Sequence, residues 1–389
     1  MQIDFKASET SSLGVEMELE LVDAVSRELR SAASEILDDL GHGHPGGAHP
    51  KAKHELLEST IEIITGVCAT VGEAREDLAS TLAELRVETD RRAIELICSG
   101  THPFSRWDEQ QVSPDPRYHR LMADMQWPAR RLQIFGIHVH VGVRSAAKAI
   151  AIANALASYI PHFLGLSASS PYWMGRDTGL ASARSKIFEG LPTAGLPPQL
   201  ADWAEFERFM STLVSAKAIS TIREVWWDIR PHPDFGTVEV RICDGLPRLS
   251  EVAAIAAVTH CLVEWMNGVY DRDGALPVQR SWIARENKWR AARHGMDADI
   301  IVDDEGGLVP LRDAVGDLVT RLAPVAGRLG CEAELGDVLA MAQRPSYARQ
   351  REVVATGGTL VDVVDSLVGE LRDDEPWRPV AAERRHPPG

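Results

Sequence analysis

The chain has 389 residues, 44% of them hydrophobic and 25% charged, a length and composition that allow a sizeable buried core in one large domain or two ordinary ones. Its 41 Lys and Arg against 57 Asp and Glu give a formal net charge of -16. That charge excludes nucleic acid and anionic membrane as expected partners, since the short run Arg384-Arg385-His386, flanked by Pro and Glu, reads as a solvated terminus.

The first strong pattern is LGVEMELELVD (13–23), where Glu16, Glu18 and Glu20 alternate with Val15, Met17, Leu19 and Leu21; period two predicts a strand. A helix ending near Leu40 is followed by GHGHPGGAHP (41–50), whose Gly, Pro and His content predicts a solvated loop. Alternation returns over 53–67, predicting a second strand, and Thr70 with Glu73 forms a capping signature for a helix whose apolar positions include Leu78, Leu82, Leu85 and Ile94. QIFGIHVHVGV (133–143) predicts a strand, Ser145 the cap of an Ala-rich helix, and 237–243 a strand after the turn-like PHPDFG. Ser250 is expected to cap the next helix, whose apolar stretch 252–263 is too short to span a bilayer. Beyond Arg372 the composition predicts a frayed tail.

No linker divides the chain, so the expected architecture is one α+β domain, 1–372, with a largely antiparallel sheet flanked by helices, and a flexible tail, 373–389. Five scattered cysteines without a C-x-x-C pair read as reduced, buried thiols. With no signal pattern at the N-terminus, the expected location is the cytoplasm.

Three glutamates on one strand face repel one another by roughly 2.5 kcal/mol per pair at an effective dielectric of 20. Either water or a cation compensates. Glu58 and Glu62, expected on one face of the second strand, would turn the first strand's acids into a basin suited to hard divalent ions such as Mg2+. His138 and His140 share a face and fit either metal binding or packing; Glu239 and Arg241 in TVEVR fit either a surface ion pair or an acid for metal beside a guanidinium for phosphate. His42, His44, His49 and His54 read as solvated rather than ligating. No G-x-x-x-x-G-K-[ST] loop is present, so nucleotide use would rest on a metal-bearing sheet.

Six segments in order, GVEMELELVD (14–23), ESTIEI (58–63), THPFSRW (101–107), FGIHVHVG (135–142), SPYWMGRDTG (170–179) and WWDIRPHPDFGTVEVRICD (226–244), resemble the carboxylate-amine ligase family, the type 2 glutamate–cysteine ligases, over residues 10–370. The resemblance implies a glutamine-synthetase-like catalytic fold. It further implies metal ligation by Glu16, Glu18, Glu58, Glu62, His138 and Glu239, catalytic roles for Arg241 and Glu18, and a substrate side formed by Arg184, Trp227, Asp228 and Arg230. His140 is expected to be supporting structure. The implied cofactors are ATP and Mg2+; the implied substrates are ATP, glutamate and an amine such as cysteine, joined through an acyl phosphate, in an enzyme that could form homo-oligomers. Members often carry three consecutive glutamates in the first strand where this chain has Met17, which alternation turns away from the site. Two other readings are a nucleotide or metabolite sensor of the same fold and, from the His-x-His pattern, a metal-dependent amidohydrolase, which would require a parallel barrel.

Overall fold

In the computed structural model, which describes residues 2–379, the strands are β1 (Leu13–Asp23), β2 (Ala52–His54), β3 (Thr60–Ile64), β4 (Ile94–Ile97), β5 (Ile137–Gly142), β6 (Tyr172–Trp173), β7 (Arg176–Asp177), β8 (Ile229–His232), β9 (Thr237–Val240), β10 (Asp299–Ile301) and β11 (Leu308–Pro310). The main sheet runs β2-β3-β1-β5-β9-β8, with β4 pairing the far end of β1, and every pairing in it is antiparallel. The α+β expectation holds, and an antiparallel sheet removes the parallel barrel that an amidohydrolase reading needs.

Sidedness follows from the alternation. Val15, Met17, Leu19, Ile137 and Val139 lie on the helix-covered face and are buried. The helices Val71–Asp90 and Leu249–Asp273 pack together over that face, burying a continuous apolar layer. Thr70 and Ser145 cap their helices as expected, accepting from the backbone N–H groups of Glu73 and Lys148. The helix Leu249–Asp273 is twice as long as the apolar stretch read from the sequence. Both it and Ala146–Ser167 are long and apolar enough to cross a membrane, but 78% of each apolar window is buried inside the protein.

Four local expectations change. The stretch 53–67 is not one strand: the chain reverses between β2 and β3, so Lys53 pairs with Glu62 and Glu58 falls in the connection. Ile94 belongs to β4, because the helix ends at Asp90 and Ala93 takes φ 52° in the turn that follows. In the His-rich segment, His49 is buried and its Nε2 lies 3.3 Å from the Glu84 carboxylate. Ser250 does not cap its helix; its N–H and hydroxyl donate to Asp374 Oδ1 at 3.0 and 2.9 Å. A carboxylate 124 residues away thus serves the helix N-terminus, and Trp377 is also tied down, its N–H donating to Glu370. Residues 380–389, the rest of the expected tail, lie outside the described residues.

Candidate active site

Across the uncovered face of the sheet the register itself assembles the polar row. Glu18 stands opposite Glu62 between β1 and β3, Glu16 opposite His138 between β1 and β5, His140 opposite Glu239 between β5 and β9, and Glu239 opposite Arg230 between β9 and β8. Directly opposed residues put their Cβ atoms about 5 Å apart, so five strands bring these groups together, and Glu16, Glu18, Glu62, His138 and Arg230 line a cavity of about 510 Å³.

The β8–β9 turn that positions Glu239 and Arg241 needs Gly236, whose φ is +65° and where a Cβ would sit 1.7 Å from the Lys6 carbonyl oxygen. Gly136 has a different reason: a Cβ there would lie 2.2 Å from an Arg184 guanidinium nitrogen. Its N–H donates to Glu18, so one residue both orients an acid and leaves room for a cation.

Electrostatics differ along the row. Burial opposes ionisation of Glu16, but hydrogen bonds from His138 and His140 overcome it and hold its carboxyl well below the ordinary range. Burial likewise opposes charge on Glu239, and the Arg230 and Arg241 guanidinia, both paired with it, outweigh that effect and keep it ionised. At the other end, burial with repulsion from Glu55 pushes Glu18 up to about 8. Burial and the neighbouring acids also raise Glu62 well above the usual range. His138 is lowered to about 4 by burial and by Arg241, whereas His140, beside Glu239 and Glu16, is raised despite burial.

These groups fit a hard divalent cation. Glu18, Glu55 and Glu62 offer carboxylate oxygens that all lie within 4.8 Å of one another, as do the ligand atoms of Glu16, Glu62 and His138, and those of Glu16, His140 and Glu239. Such a set of acids holds together only with protons or a cation among them, and oxygen-dominated ligation suits Mg2+.

Of the expected ligands, Glu16, Glu18, Glu62, His138 and Glu239 converge here, and Glu58 does not. Its carboxylate accepts from the Ser34 N–H and hydroxyl and so closes the start of the helix Ala33–Gly41. Glu55, on the connection and raised by burial, lines the cavity instead; alternation over an assumed single strand pointed to Glu58, and the reversal between β2 and β3 leaves that acid outside the cavity. His140 also reaches the acids, with Nε2 3.3 Å from Glu16 and 3.6 Å from Glu239.

On the expected substrate side, Arg184, Arg230 and Arg241 line the cavity. Arg230 is fully engaged, donating to Glu239 and to the Arg223 and Val225 carbonyls, whereas the buried Nε atoms of Arg184 and Arg241 have no protein acceptor. Trp227 and Asp228 are not in the cavity. Trp227 packs with Phe206 and Phe209 in a separate apolar cluster, because alternation from Trp226 turns it the other way. Asp228 is buried against Lys288, 2.6 Å from Nζ, which also pairs with Glu189 at 2.6 Å.

Among solved structures, the fold is similar to a glutamate–cysteine ligase from Francisella tularensis in complex with AMP, with TM-score 0.68 and 16% identity over 97% of this chain and 91% of that one. It is also similar to a bifunctional glutathione synthetase from Pasteurella multocida, with TM-score 0.67 and 15% identity over 94% and 52%. In sequence the chain is 58% identical to a protein of Frankia casuarinae provisionally named glutamate–cysteine ligase 2-1, over 97% of this chain and 99% of that one. It is 51% identical to a Thermobifida fusca protein with the provisional name glutamate–cysteine ligase 2, over 97% and 94%. Residues 12–365 match the profile of glutamate–cysteine ligase family 2, a span that contains every acid, histidine and arginine of the row, and the chain belongs to that family.

Proposed function

We infer that the protein is an ATP-dependent carboxylate-amine ligase that activates the γ-carboxylate of glutamate as an acyl phosphate and joins it to an amine, with cysteine the first amine to test. The observation that carries this reading is the row of acids and histidines ending on Arg241 at the floor of one cavity. Mg2+ held by Glu16, Glu18, Glu55, Glu62 and the histidines would offset the phosphate charge of ATP, which is the main task in phosphoryl transfer.

The chain's own residues supply the rest. Glu239, clamped by Arg230 and Arg241, stays anionic and fixed. Arg241 lines the cavity with Nε unpartnered in the protein, and is suited to the oxygens of the transferring group. Arg184 lines the same cavity, also with Nε free, and is suited to a substrate carboxylate. Five free, buried cysteines suit a reducing compartment and support a cytoplasmic enzyme.

The test is release of phosphate from ATP in Mg2+ buffer with glutamate and a panel of amines, for the wild type, Glu16→Gln and Arg241→Ala. The expected result is phosphate and amide in equal amounts, dependent on both substrates, with rates lower by about a hundredfold or more in each variant. Nucleotide binding without turnover of any acid and amine would overturn it in favour of a sensor.

A further inference from the structure

Beside the reaction cavity lies a second one, of about 620 Å³, formed by the helix Pro116–Met125 and the segment following the helix Trp203–Ser215. The two cavities share Arg117, Leu121 and Trp226 in their linings, so these residues form the boundary between them.

The outer cavity carries Arg117, Arg120 and Lys217. Arg117 and Arg120 are one helical turn apart and share a face; Lys217, at φ 59°, follows the end of its helix and is fixed there by its backbone N–H on the Val214 carbonyl. Among the described residues none of these three cations takes part in an ion pair, although the chain carries sixteen more negative than positive charges, whereas Arg230 and Arg241 of the reaction cavity are paired with Glu239. Of the acids on this wall, Glu224 is occupied by the N–H and hydroxyl of Ser220, which leaves Asp124. Leu121, Met125, Ile219 and Trp226 make the rest of the wall apolar.

We propose that this outer cavity is the acceptor subsite of the ligase and that the acceptor is an amine bearing an anionic group remote from its amino nitrogen, as an acidic peptide does. The inference rests on the ligase reading above. Arg120 and Lys217 border the outer cavity and not the reaction cavity, so an anion held by them lies on the outer side of that boundary, and the acceptor's amine would reach the activated carboxylate across Leu121 and Trp226. In the joining step the amine lone pair attacks the acyl carbon and the new C–N bond forms. The C–O bond to phosphate breaks, inorganic phosphate leaves with the electron pair, and the nitrogen loses a proton to phosphate or water.

The experiment uses hydroxylamine, which is small and uncharged, to trap acyl phosphate as the hydroxamate, with alanyl-glutamate and its diamide, which keeps the amine and lacks both carboxylates, as competing acceptors. Each protein's response is expressed relative to its own hydroxylamine reaction. The expected result is that the anionic dipeptide acts, as substrate or as competitor, at a concentration about tenfold lower than the diamide. That preference should shrink in high salt and disappear in the double variant Arg120→Glu/Lys217→Glu. Arg120→Gln/Lys217→Gln, milder at two exposed positions, is expected to fall between. Equal action of the two peptides, no action by either, or a preference that survives charge reversal would overturn the inference while the hydroxamate upholds the ligase. Absence of hydroxamate would overturn the ligase reading and this inference with it.

Discussion

Glu55 and Glu58 are three residues apart and do opposite work. Glu55 faces Glu18 and Glu62 in the cavity, and Glu58 closes the N-terminus of a helix through Ser34. Glu55→Gln is expected to lower turnover by about a hundredfold or more and to weaken the Mg2+ dependence, with little loss of stability, because it removes a ligand charge and relieves repulsion among buried acids. Glu58→Ala is expected to cost about 1 kcal/mol of stability while leaving the rate per folded molecule near wild type. Steady-state kinetics and urea unfolding on both variants separate the two roles. Asp228 gives a different contrast. Removing its charge with Asp228→Ala leaves Lys288 buried with only Glu189 beside it, a loss of about 3 kcal/mol by denaturant unfolding, and adding Lys288→Met should recover much of it.

At the scale of elements, the helix Leu249–Asp273 depends on a group outside itself. The side chain of its N-cap residue, Arg248, accepts no hydrogen bond from the helix and instead donates to the Asp374 carbonyl, and the orphan donors at Ser250 are met by the Asp374 carboxylate, which also pairs with Arg75 at 2.6 Å. Because this helix covers the back of β5, the chain's last described segment braces the same sheet that presents His138 and His140. Asp374→Ala is expected to lower stability by about 1–2 kcal/mol and to shift the thermal midpoint downward without changing KM for ATP; a KM change would mean that the brace reaches the site. Ser250 suggested itself as the cap because Ser is a common capping residue, and only the fold brings a better acceptor to it.

For the molecule as a whole, two buried histidines should give stability a component that is lost in acid. His102 is pushed down to about 3 by burial, with its ring hydrogen-bonded to the Arg27 carbonyl and to the Ser105 N–H, and His162 is pushed down to about 4 by burial and Arg321. Both are neutral when folded and bind a proton near pH 6.5 when unfolded. At these two positions the unfolded state therefore holds more protons between these values, so their contribution to stability is fully present above pH 6.5 and falls as pH drops toward 4. Glu18 and Glu62, whose carboxyls are raised in the folded state, act in the opposite sense over the same range, so the histidine contribution is read as a difference. Across pH 7 to 4, thermal or urea unfolding should show stability falling more steeply with acid in the wild type than in His162→Phe, and equal slopes would contradict the neutral, buried assignment.

Sequence alone determined the two faces of the sheet. In β1 and β5 the apolar residues Met17, Leu19, Ile137 and Val139 alternate with Glu16, Glu18, His138 and His140, and because successive side chains of a strand point to opposite faces, that sidedness is a local property that needs no partner. The ordered motifs also sufficed for the family. Tertiary structure decided what local pattern cannot carry. The reversal between β2 and β3 chose Glu55 over Glu58, the strand register set Glu18 opposite Glu62 and Glu16 opposite His138, and long-range packing gave Asp228 to Lys288 and Asp374 to Ser250. Each of those pairings joins residues that alternation treats as equivalent, and only the closed chain, by placing one partner within hydrogen-bond reach and the other out of it, makes them different.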